Sequence, residues 1–252
     1  DGYDPAVSAS LVAASSVIGP VIPPSIPFVL YGAITGVSVA RLFMAGFIPG
    51  IIMSLGMMAA LAVLAKRKNY PCSACRTPAR DAWASFRGAF WALMAPVIII
   101  GGIMTGFFTP TEASVAVCLY AALLGFAYRD LKLRDLPAIL FRSIQQSVSL
   151  LFIIAAANFF GWLIIHQKIP DKIIAGLVAM GASQPHVLLI MMGVVLLLGC
   201  FIEGNAIFLI TLPIFMPVAN MFGIDLINFG VVMTLLIMIG NLTPPVGMCL
   251  FA

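Results

Sequence analysis

The chain has 252 residues, 62% of them hydrophobic and 9% charged, with a formal net charge of +4. An ordinary soluble domain carries about 25% charged residues, so no water-soluble fold of this length could hide so much apolar surface. A soluble enzyme, a nucleic-acid reader and a disordered tail are thereby set aside, and the expected fold is an all-α polytopic membrane protein in contact with the lipid bilayer.

Residues 1–40 read as one broken helix. It starts at Gly2-Tyr3-Asp4, runs for about fourteen residues, and must stop at Gly19 and the pair Pro23-Pro24. Proline removes an amide donor and clashes with the carbonyl four residues back, which leaves several carbonyls without helical partners. Fourteen residues rise about 21 Å, so the break should lie inside a hydrocarbon core about 30 Å thick.

Residues 41–107 follow as scaffold helices. The uncharged stretch 42–65 is about 36 Å long as a helix, enough for a tilted crossing, and it ends at Lys66-Arg67-Lys68. A polar connection continues to Asp81. Trp83, Phe86, Phe90 and Trp91 are then spaced as an interfacial helix that enters a second crossing at 89–107. Within the connection, Cys72 and Cys75 have the spacing of a thiolate metal site, but His166 and His186 are far away in sequence. Two free thiols are the preferred reading there, with no transition metal.

In residues 108–142, Thr109-Pro110-Thr111-Glu112 reads as a turn and helix start, with the glutamate near the positive end of the helix dipole. The run 113–128 returns to a second basic loop. Arg129, Lys132, Arg134 and Arg142 form that cluster; Lys66, Arg67, Lys68, Arg76, Arg80 and Arg87 form the other. Two crossings separate them, so both lie on one side, the cytoplasm by the bias of basic loops.

Residues 143–185 hold a crossing at 143–165, carrying Gln145, Gln146 and Asn158, and a short interfacial or re-entrant helix at 173–183. Residues 186–252 hold a crossing at 186–202, a second hairpin and a second broken helix. The hairpin is expected from the run 206–222, interrupted by Pro213 and Pro217 after Glu203-Gly204-Asn205. The chain opens on Asp1 and stops in an apolar run at Phe251-Ala252, so it reads as a fragment with no targeting segment to interpret.

A shift of 221 positions lays residues 2–24 on 223–245. Gly2, Asp4, Ile18, Gly19, Pro23 and Pro24 then match Gly223, Asp225, Ile239, Gly240, Pro244 and Pro245. Glycines, an aspartate and a proline pair at fixed spacing mark an internal repeat with a broken helix in each copy. Unpaired carbonyls in hydrocarbon are costly, so something must satisfy them. Sodium suits oxygen ligands, and paired broken helices are a known way for secondary transporters to build sites near the bilayer midplane. The alternative is a proline kink satisfied by water or serine. Ser15, Ser16, Ser25 and Thr243 supply hydroxyls beside the breaks, and Glu203 is an acidic group in an apolar stretch, expensive unless it has a role.

At these residues the sequence resembles the large membrane (M) subunit of TRAP transporters, the tripartite ATP-independent periplasmic transporters. The likeness rests on Gly2-Tyr3-Asp4-Pro5, on residues 14–25 around Gly19-Pro20-Val21-Ile22-Pro23-Pro24-Ser25, on Phe108-Thr109-Pro110-Thr111-Glu112-Ala113, and on Leu242-Thr243-Pro244-Pro245-Val246-Gly247.

The resemblance implies an inverted-repeat fold with discontinuous helices and re-entrant hairpins, and an elevator-type transport domain held in a scaffold. It implies sodium-coupled import of a small organic anion bearing a carboxylate, delivered by a periplasmic binding protein (P subunit), with a small membrane (Q) subunit as partner, in the bacterial inner membrane. One sodium site would use carbonyls of Gly19, Ile22 and Pro24 with a first hairpin that precedes the Gly-Tyr-Asp-Pro motif in the family. The other would use Gly240, Thr243 and Val246 with the hairpin at Glu203, Gly204 and Asn205. Ser25, Glu203 and Asn205 are the candidates near the substrate. Family members often have Met-Asp-Pro where this chain has Ile202-Glu203-Gly204. Arg41 and the loop 167–172 are possible docking points for the binding protein.

A proton-coupled transporter, a passive channel and a structural membrane subunit remain alternatives. An intramembrane enzyme would need a nucleophile or metal constellation, and the sequence has no His-Glu-x-x-His and no paired aspartates, so an enzyme is not expected.

Overall fold

A computed structural model describes residues 5–68 and 78–247, all of whose regular structure is helical. Gly2, Tyr3, Asp4, Cys72, Cys75 and Arg76 lie outside the described residues. The helices are α1 (Pro5–Ser16), α2 (Ile26–Thr35), α3 (Val39–Arg67), α4 (Ala79–Met104) and α5 (Pro110–Ala127), then α6 (Leu136–His166), α7 (Ile169–Ala179), α8 (Gln184–Gly199), α9 (Gly204–Met221) and α10 (Leu226–Leu242). A single 3-10 turn, Leu133–Asp135, precedes α6. Two compact units divide the chain, one of residues 1–8 and 56–144, the other of residues 9–55 and 145–252.

Among the described residues, five helices are long and apolar enough to cross a membrane: Val39–Arg67, Arg80–Met104, Pro110–Ala127, Leu133–His166 and Gly204–Met221. In the first three of these, only 6% of the most apolar window is buried. Apolar helices that bury so little against protein need lipid as their solvent, and the chain is a multi-pass membrane protein.

The first unit is built on the pair α4–α5. The link between them, Thr105–Thr109, ends in a capping box. Thr109 accepts from the Glu112 N–H (3.3 Å), and the Glu112 carboxylate accepts from the Thr109 N–H (2.8 Å). The Tyr120 hydroxyl donates to the Trp91 carbonyl at 2.7 Å, which fixes the pair as antiparallel. Arg80 and Arg87 therefore share one end of the pair with Arg129, Lys132 and Arg134. The aromatic residues read as an interfacial helix entering the second crossing sit on the first half of α4, with Trp83 stacked on Phe86 at 5.7 Å. The helix runs unbroken from the polar connection into the crossing, and Pro96 lies inside it without ending it.

In the second unit α10 is central, packed against α8, α2 and α9, while α9 also packs on α2, α7 and α8. Phe208, Phe229, Met233 and Ile237 are fully buried between them. Tyr31 meets Phe208 edge-on at 6.0 Å and donates to the Leu226 carbonyl at 2.7 Å, tying α2 to the start of α10. Gly230 accepts the Tyr31 ring, since a Cβ there would sit 2.6 Å from it.

Two expectations in this unit are corrected. The run 206–222 does not turn back on itself: α9 is one helix with Pro213 and Pro217 inside it. Each proline costs one backbone bond and a steric clash, but reversing a chain also needs residues that leave the helical region. Those lie at 200–203 and at 222–225, where Gly223 has φ +65°. These two turns join α9 to α8 on one side and to α10 on the other. The expected crossing 186–202 is also shorter than read, because α8 has 16 residues, a rise of about 24 Å.

Candidate functional site

The first break follows α1. The Ile18 carbonyl accepts from the N–H groups of Val21 (3.0 Å) and Ile22 (3.1 Å), a tight turn rather than a continued helix. Pro23 and Pro24, joined by a cis peptide, offer no N–H. Among the described residues no hydrogen bond reaches the carbonyls of Gly19, Ile22 or Pro24. The segment is held by α3, where Gly46 lies under Val21 and Phe28, and Gly50 lies against Ile22.

Ser25, 2% exposed, closes this break. Its hydroxyl donates to the Pro20 carbonyl and accepts from the Phe28 N–H at 3.3 Å, so it is the N-cap of α2. Ser15 and Ser16 bond back to the carbonyls of Val12 (3.0 Å) and Ala13 (2.7 Å), as serines in membrane helices usually do.

The second break ends α10, which starts at the Asp225 cap. The Asp225 carboxylate accepts from the N–H groups of Ile227 (3.2 Å) and Asn228 (3.4 Å). At the far end the Thr243 N–H turns to the Gly240 carbonyl (2.8 Å), and its hydroxyl donates to the Ile239 carbonyl (2.7 Å). Pro244 and Pro245, again joined by a cis peptide, offer no N–H, and the Val246 N–H crosses to the Cys200 carbonyl (3.2 Å). The carbonyls of Asn241 and Leu242 are left without a partner among the described residues. So is the side-chain oxygen of Asn241, which is buried. The Gly240 carbonyl is already engaged once, and the Thr243 hydroxyl has a lone pair to spare.

The turn at Glu203 is brought to this break by glycines. Gly199 and Gly240 touch backbone to backbone, and a Cβ on Gly240 would fall 2.6 Å from the Gly199 Cα. A Cβ on Gly204 would fall 2.8 Å from Ile237 and 3.5 Å from the Asn241 amide nitrogen. Glu203 is the N-cap of α9. Its carboxylate accepts from the Ala206 N–H (3.2 Å) and from the Asn205 amide (2.8 Å). Glu203 and Asn205 line a cleft of about 80 Å³ whose other walls are apolar: Ile26 and Leu30 of α2, Leu209 of α9, and Leu150, Ile153 and Ile154 of α6.

Of the sequence candidates, Gly204, Gly240, Thr243 and Val246 thus belong to one assembly with the turn at Cys200–Glu203. Glu203 and Asn205 share the cleft, whereas Ser25 lies behind Ile26 with its hydroxyl committed. Gly19, Ile22 and Pro24 form the separate break packed on α3. Gly199, Cys200 and Asn241 were missed. Asn241 directly precedes the motif Leu242-Thr243-Pro244-Pro245, and a carboxamide in so apolar a run was the available signal.

Among the described residues, all-helical structure with five membrane-length apolar helices and two proline breaks defines a polytopic membrane protein. The chain belongs to the tripartite ATP-independent periplasmic transporter family, DctM component, whose model matches residues 1–252. It is 40% identical to the sialic acid TRAP transporter permease protein SiaT of Haemophilus influenzae, over 99% of this chain and 41% of that one. It is 41% identical to the C4-dicarboxylate TRAP transporter large permease protein DctM of Pseudomonas aeruginosa, over 99% of this chain and 58% of that one. It is 38% identical to the sialic acid TRAP transporter large permease protein SiaM of Vibrio cholerae, with the same coverages. The chain spans about half the length of these curated relatives, all of which are permease proteins rather than enzymes.

Proposed function

We propose that this chain is part of the large permease of a sodium-coupled secondary transporter in the bacterial inner membrane. The permease imports a small carboxylate-bearing solute that a periplasmic binding protein delivers, and it works with a small membrane subunit. The observation that carries the reading is the second break. The carbonyls of Asn241 and Leu242 and the oxygens of Asn241 and Thr243 lie at the negative end of α10 with no donor to satisfy them. Such an oxygen-only set fits a hard monovalent cation.

The first break repeats this logic at Gly19, Ile22 and Pro24, which supports two sodium sites in matched, inverted halves that move together as an elevator-type domain. Glu203 cannot meet a carboxylate directly while ionised, so its part is to orient Asn205 and the turn. The names of these relatives, which cite sialic acid and C4-dicarboxylates, support a carboxylate substrate.

The test is uptake by the full-length permease, reconstituted with its small subunit and binding protein, with and without a sodium gradient. Uptake should require sodium. Thr243→Ala should raise the half-saturating sodium concentration about tenfold, the loss of one contact to a charged group worth about 1.5 kcal/mol. Uptake driven equally well by a proton gradient alone would refute sodium coupling.

A further inference from the structure

The Asn241 side chain is 9% exposed, in the last turn of α10, and its oxygen has no hydrogen-bond donor. Buried amide oxygens are almost always satisfied, so one that is not calls for a ligand. The backbone donors that follow it in sequence at the break are spent or missing: Thr243 N–H bonds Gly240, Val246 N–H bonds Cys200, and Pro244 and Pro245 have none. The last turn of α10 carries no basic side chain to serve as the donor.

We infer that the Asn241 side-chain oxygen is a direct ligand of the cation at the second helix break. The inference rests on the sodium reading above and goes one residue beyond its backbone-and-threonine set. A side-chain ligand also gives the site something backbone carbonyls cannot, since its reach is set by packing against Gly204 on α9.

The test uses the purified full-length permease in detergent without substrate, titrated with sodium chloride against choline chloride, reading the unfolding temperature. The wild type should be stabilised by sodium. Asn241→Leu keeps the volume and removes the oxygen, so it should need at least tenfold more sodium for the half-maximal shift. Its unfolding temperature without sodium should equal or exceed the wild type's, because an unsatisfied buried polar group has been replaced by an apolar one. A merely structural asparagine would lower that sodium-free temperature instead. Asn241→Asp retains an oxygen and should respond at the wild-type sodium concentration or below.

If the wild type responds to sodium and Asn241→Leu matches it within twofold, the inference fails while sodium coupling stands. A wild type indifferent to sodium overturns both. Should Asn241→Leu not fold, Asn241→Ser against Asn241→Asp decides: the inference requires a tenfold loss in the first and none in the second.

Discussion

The contact between Gly199 and Gly240 sets how closely α8 can approach α10, and adding one methyl group measures it. A Cβ on Gly240 would lie 2.6 Å from the Gly199 Cα, 2.7 Å from its carbonyl carbon and 3.2 Å from its oxygen. Carbon atoms prefer about 3.5–4.0 Å, so the two helices must part by about 1 Å. All three obstructing atoms are backbone, which no rotamer change can move. Overpacking of this kind costs about 3 kcal/mol, at the top of the usual range, and alanine's better helix propensity returns about 1 kcal/mol. The net expectation for Gly240→Ala is a loss of about 2 kcal/mol. Gly199→Ala should be milder, since its Cβ would meet the Gly240 Cα at 3.0 Å and nothing else closer than 3.5 Å. Gly193 on the same helix α8 is exposed, with nothing within 4 Å of a Cβ, so Gly193→Ala should be neutral or stabilising. Thermal unfolding of the full-length protein in detergent, followed by tryptophan fluorescence, ranks the three. If Gly240→Ala unfolds at the same temperature as Gly193→Ala, the close helix crossing is wrong.

Two further outcomes follow from hydrogen bonds on the page. Tyr31→Phe removes the 2.7 Å bond to the Leu226 carbonyl but keeps the ring against Gly230, so it should cost about 1 kcal/mol in the same unfolding assay. Thr109→Ala breaks the capping box with Glu112 and should cost about 1 kcal/mol. Its effect should be confined to faster amide exchange in the first turn of α5, with sodium dependence unchanged.

What the sequence made legible was local. The start of α5 could be read because a threonine, a proline and a glutamate at fixed spacing satisfy one another's backbone groups without help from the rest of the chain. The start of α10 was legible for the same reason, through Asp225. The ends of helices were legible wherever two prolines follow a glycine, since no packing can restore an N–H that does not exist. Two single prolines misled: Pro213 and Pro217 both lie inside α9, where neighbouring packing compensates for one lost bond. The Gly199–Gly240 contact was illegible because a lone glycine in an apolar helix says only that something comes close, not what. Asn241 was illegible in function for a related reason, as its significance lies in the partners it lacks.

The ends of α9 and α10 carry opposite partial charges, about half a unit each, and they are neighbours through Gly204 and Asn241. The positive end, the start of α9, is already answered from within the chain, because the Glu203 carboxylate accepts from Ala206. The negative end of α10 is not answered: no basic side chain lies in its last turn, and several oxygens there find no donor. This asymmetry favours a cation over an anion as the ligand in the proposed sodium reading. A carboxylate approaching this end of the unit would meet Glu203 as a like charge and a filled cation site as an opposite one. In that reading a bound cation strengthens binding of the anion, and by linkage the anion strengthens binding of the cation by the same factor.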